Sequence, residues 1–111
     1  MLDLVLSSDF DGADELREQA KSAFVVGGCD CGCPSVGLRA WRGASAVGLA
    51  SRLVPSELEV VPAGDEPSGQ VILFADGGRL SYLEYVFFGD TPAKWPDPSR
   101  IRVVGPSAAG S

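Results

Sequence analysis

The chain has no histidine, one methionine and three cysteines in its 111 residues. Without an imidazole there is no Ser-His-Asp or Cys-His nucleophilic site, since both need it to take the nucleophile's proton. Zinc would have to be held by thiolates and carboxylates alone. Clustered basic charge is missing too: nine Lys and Arg are scattered among fifteen Asp and Glu, giving a net charge of -6. Nucleic acid is bound by clustered cations that release counterions, so neither nucleic acid nor an anionic membrane surface is an expected partner. No apolar run approaches the ~20 residues that span a bilayer. The opening MLDLVLSSDFDGADE has no basic stretch and only a short apolar one before Asp9, so no signal peptide is read there. The expected location is the cytoplasm, where thiols stay reduced and a structural disulfide is not the default. Phosphate-cradling motifs of the GxxxxGK[ST] or strand-GxGxxG-helix kind are absent, and so are internal repeats.

The remaining composition is that of a folded domain: 45% hydrophobic and 22% charged, with 14 glycines and 8 prolines that call for many turns. The length fits one domain, read here as residues 1–106, with a disordered tail at 107–111. DGADELREQAKSAF, 11–24, has the spacing of an amphipathic helix. Asp11 is placed to cap it, and Ala13, Leu16, Ala20, Ala23 and Phe24 fall on one narrow face suited to lying on a sheet. The preceding LDLVLSS reads as an extended strand or a loose lead-in.

Strands account for most of the rest. FVVGG, 24–28, and SVGLRAW, 35–41, flank a cysteine-rich turn and predict a hairpin. Residues 42–55 fit strand, loop or short helix equally. SELEVVPA, 56–63, is a strand with Leu58 and Val60 facing inward. QVILFADGGRLSYLEYVFF, 70–88, predicts two strands joined at Asp76-Gly77-Gly78, where both turn positions need positive φ. Strict alternation along the second strand puts Leu80, Tyr82, Glu84, Val86 and Phe88 on one side and Ser81, Leu83, Tyr85 and Phe87 on the other. Both sides are apolar, so both have reason to be covered. IRVV, 101–104, adds an edge strand after a proline-punctuated loop. The expected fold class is α+β: an N-terminal helix packed on a curved antiparallel β-meander sheet, in two layers.

Two regions are candidates for chemistry or recognition. Cys29, Cys31 and Cys33 alternate within CDCGCP. As soft thiolates they form a candidate zinc site; apart from zinc held there, no cofactor is expected. A fourth ligand would come from a carboxylate such as Asp30, from water or from another subunit. A redox role would call for Cys-x-x-Cys at a helix N-terminus, whereas here a strand precedes the cluster and a proline follows. The bland alternative is a hairpin end that uses cysteine as a small hydrophobe. Glu84, Tyr82, Tyr85 and Trp95 form the second candidate, a partner surface. A carboxylate within so apolar a segment needs a partner such as Arg39 or Arg79 if it is buried. Paired carboxylates Glu57 and Glu59 read as the wet face of a strand.

CDCGCPSVGL, 29–38, and GGRLSYLEYVFFGDTPAKWPDPSRI, 77–101, resemble a group of small bacterial proteins that pair a CGC-P-S/T-V strand turn with a late L-S-x-L-E-Y-V segment and a W/F-P dipeptide. The likeness covers about a third of the chain. It implies a stand-alone intracellular α+β domain and carries no catalytic residue. The LEYV-plus-proline pattern also looks like a late segment of some toxin-neutralising immunity proteins. The function expected from all this is a non-enzymatic interaction domain whose partner is another protein, with a homodimer as one form of it. The alternatives are a zinc-binding protein and a thiol redox protein.

Overall fold

In the computed structural model, residues 1–28, 32–40, 46, 48, 52–64, 68–88, 91–92 and 94–104 are described. The chain begins with a short helix, α1 (Leu2–Val5), where an extended strand or loose lead-in was expected. Four of the first five residues are apolar, and this turn of helix buries Val5 completely. Helix α2 (Ala13–Ala20) follows. Its N-cap is Gly12, at φ 94, rather than Asp11. Glycine alone takes that left-handed conformation without a Cβ clash. The helix ends before Phe24, which opens the first strand instead.

Six strands follow: β1 (Phe24–Gly28), β2 (Val36–Arg39), β3 (Leu53–Val60), β4 (Gly69–Asp76), β5 (Arg79–Phe87) and β6 (Ile101–Val104). All pairings are antiparallel, in one sheet of order β1-β2-β5-β4-β3-β6. The expected meander is therefore realised only in part. The β1-β2 hairpin joins the sheet at β5, and β6 returns to the far side of β3. The connections at 40–52 and 88–100 are long enough to cross several strands, because loop-closure entropy rises slowly with length. The β4-β5 turn is as expected, with Gly77 at φ 60 and Gly78 at φ 79.

One face of the sheet holds the core. Val54, Leu58 and Val60 of β3, Val71, Leu73 and Ala75 of β4, and Leu80, Leu83 and Tyr85 of β5 are buried there. Val5, Leu6 and Leu16 from the helical segment belong to the same cluster. Buried polar groups tie the segment down. The Gln19 side chain donates to the Gly78 carbonyl (3.0 Å) and accepts the Leu80 N–H (2.9 Å), fixing α2 to the start of β5. Ser56 donates to the Val5 carbonyl at 2.7 Å. Arg17 donates to the Leu6 and Ser8 carbonyls at 2.6 and 2.8 Å, closing the α1-α2 turn. No helix among the described residues is long and apolar enough to cross a membrane. The tail predicted at 107–111 lies outside the described residues, as do most of positions 41–51.

Strict alternation fails along β5. Ala75 pairs with Leu80 but Phe74 pairs with Tyr82, which leaves Ser81 as an extra residue. Such a bulge reverses which side the preceding residues face. Leu80 is consequently in the core, 3% exposed, on the side of Leu83 and Tyr85 rather than of Tyr82 and Glu84. A second irregularity falls in β3 between Leu53 and Glu57, around Pro55, which has no N–H to give to the ladder.

Candidate functional site

The second face of the sheet follows from the register. Glu57, Ile72 and Glu84 are direct neighbours across β3, β4 and β5. Glu59, Gln70 and Val86 form the next row, and Arg102 extends it onto β6. In the other direction Leu53, Phe74, Tyr82 and Gly37 line up across four strands. Phe24, paired with Arg39, falls on this side as well. None of these side chains belongs to the core cluster, and among the described residues both helices contribute to the opposite face. Leu53 is 46% exposed and Phe24 53%, while Ile72, Phe74, Tyr82 and Val86 are half-buried. This is an apolar strip through the middle of an open sheet, bordered by carboxylates.

Electrostatics distinguishes these carboxylates. Glu59 meets Arg102 at 2.7 Å. Glu57 and Glu84 form no ion pair among the described residues. Glu84 would need an arginine such as Arg39 or Arg79 only if it were buried. Its half-exposed position lets water solvate the carboxylate, so the cost of full burial does not arise.

The predicted partner surface is thus divided between the two faces. Tyr82 and Glu84 lie on the open face. Tyr85 is 7% exposed and part of the core, and Trp95 stacks on it with ring centroids 6.0 Å apart and planes 14° from parallel. Phe87 meets Tyr85 edge-on at 6.1 Å. Tyr85 and Trp95 act together as an aromatic seal on the helix-bearing side. The bulge at Ser81 gives no sign in a window of alternating residues. Sequence reasoning also missed Leu53, Ile72 and Phe74. Of these, Ile72 and Phe74 lie within VILFA, a run read simply as an interior strand, and the register with Glu57 and Glu84 is what reveals them.

Of the candidate zinc ligands, Cys29 and Cys31 lie outside the described residues, and Cys33 is half-buried. Among the described residues no group of three or more His, Cys, Asp or Glu side chains is gathered as a metal site. Gly32, next to Cys33, has φ 89, a left-handed conformation that favours glycine. Compared with known proteins, the chain matches no family, no curated protein and no solved structure.

Proposed function

We propose that this protein is a non-enzymatic interaction domain that binds another protein on the open face of its sheet. The carrying observation is the strip of Leu53, Ile72, Phe74 and Tyr82 on the face that the described helices leave bare. Contiguous apolar surface of this kind, rimmed by polar groups, marks interaction sites. The fold then reads as two layers, with helices on one side and the partner supplying cover for the other. A cytoplasmic setting and an immunity-like role, in which the ligand is itself a protein, fit this reading and the late LEYV segment. The test is capture from native lysate by wild-type protein and by Phe74→Asp and Tyr82→Ala variants whose circular dichroism is unchanged. The reading requires a reproducible partner that both variants lose. Turnover on a substrate panel with no such partner would sink it.

The Cys-x-Cys-x-Cys spacing supports a second reading, a zinc-binding protein that uses Cys29, Cys31 and Cys33. The three thiols leave one position of a tetrahedral site to Asp30, water or another subunit. Metal content after purification under reducing conditions decides it, with a thiol count on the same sample. Stoichiometric zinc with protected thiols is the expected result, and three reactive thiols without metal would remove this reading.

A further inference from the structure

We propose that the occupant of the open face is a cationic amphipathic helix of the partner protein. It sits with two basic residues on Glu57 and Glu84 and an apolar side chain over Ile72. This rests on the docking reading above and adds the partner's chemistry.

Three observations lead to it. The first is size. Neighbouring strands are ~4.8 Å apart and residues rise ~3.3 Å, so five strands of about six residues offer on the order of 500 Å² per side. Counted on both partners, that is about 1,000 Å², the floor for a specific interface and below the usual range of stable ones.

The second is charge. Glu57 and Glu84, which flank Ile72, form no ion pair among the described residues, nor does Asp76 at the end of β4 on the same face, whereas Glu59 is engaged by Arg102. The chain as a whole carries -6. A second copy would bring the same two carboxylates and the same excess negative charge to the contact. A basic partner brings the complement, which steers encounter and fixes register.

The third is spacing. Glu57 and Glu84 are two strands apart on one row, about 10 Å between backbones, with Ile72 midway. On a helix, residues seven apart lie on one face and are separated by ~10.5 Å. The residues three and four along lie between them on the same face. A pattern of basic, two spacers, two apolar, two spacers, basic therefore matches glutamate, isoleucine, glutamate across the strands. An extended segment on this face would leave its backbone N–H and C=O groups against Ile72 and Phe74, where nothing satisfies them. A helix satisfies its own.

The experiment titrates the whole protein into a labelled helical peptide of about 18 residues, read by fluorescence anisotropy. The probe carries lysines seven positions apart with leucines between them, and its counterpart has glutamate in place of lysine. The expected result is binding of the lysine peptide alone, weakened about tenfold by Glu57→Gln with Glu84→Gln and weakened again by raising salt from about 0.05 to about 0.5 M. A control pair of equal charge change on the first helices, Asp3→Asn with Glu15→Gln, should leave binding intact. Equal affinity for both peptides, or equal losses in the two double variants, would overturn the proposal. So would a concentration-dependent dimer in sedimentation that Phe74→Asp dissolves, which would assign the face to a second copy. If the glutamate variants change nothing while Phe74→Asp still loses the lysate partner, docking on this face stands and the basic helix does not.

Discussion

Gln19 shows how one side chain can decide where a helix sits. It is wholly buried, yet both ends of its amide are used, one on the Gly78 carbonyl and one on the Leu80 N–H. Gln19→Ala removes both bonds and leaves a buried backbone N–H without its acceptor. We expect a loss of about 2–3 kcal/mol in urea unfolding, more than the typical surface change. Gln19→Leu should do no better, because filling the volume does not supply the acceptor. Asp97 gives a residue-scale pH effect. Its carboxylate accepts the Ser99 N–H at 2.9 Å, and this bond, helped by the Ser99 hydroxyl, holds its pKa below the ordinary 3.8. A depressed carboxyl stabilises the fold above its unfolded pKa and loses that contribution as pH falls through the lower folded value. The stability gap between wild type and Asp97→Asn should therefore be constant at neutral pH and close only in the acid range below about 4. A gap that persists at the lowest pH where the protein stays folded would contradict this.

At the scale of elements, the irregularities of β3, β4 and β5 matter more than their regular stretches. The bulge at Ser81 delivers Leu80 to the core and leaves Tyr82 and Glu84 on the open face. Gly69 begins β4 in a buried position where an added Cβ would meet the Val86 carbonyl oxygen at 2.6 Å and the Tyr85 ring at 3.0 Å. The carbonyl belongs to the strand ladder, so it cannot move aside without loosening the β4-β5 pairing. Gly69→Ala should lower stability by about 1–3 kcal/mol in chemical denaturation despite its small size. At the edge of the sheet, β1 exposes Phe24, Val25 and Val26 at 53%, 60% and 50%. An uncharged edge strand of this kind offers backbone pairing groups to another chain.

At the scale of the whole molecule, one face of the sheet carries the core and the described helices, and the other is left bare by those helices. Neighbouring residues of a single strand should report the difference. Leu73 is fully buried on the core side, and Ile72 is half-buried on the open side. Leu73→Ala should cost about 2–5 kcal/mol through lost burial and the cavity left behind. Ile72→Ala should cost about 1 kcal/mol or less, since much of its surface already meets water. Equal losses in thermal or urea unfolding would mean that the open face is as enclosed as the core, and the docking reading would fall with that result.

The α2 helix, the Asp76-Gly77-Gly78 hairpin and the edge strand at 101–104 were legible in the sequence because each is specified locally. Helical spacing, two positive-φ glycines and a short β-branched run carry their own instructions. The inward direction of Leu58 and Val60 was legible for the same reason. The sequence by itself thus determined a small, acidic domain of antiparallel strands and helix, without histidine chemistry. The strand order, the side on which Leu80 falls, the separation of Tyr82 and Glu84 from Tyr85 and Trp95, and the row of Glu57, Ile72 and Glu84 were decided only in the tertiary structure. Each of these depends on which distant strands pair and in what register, and one extra residue in a strand is enough to exchange the faces of the side chains before it.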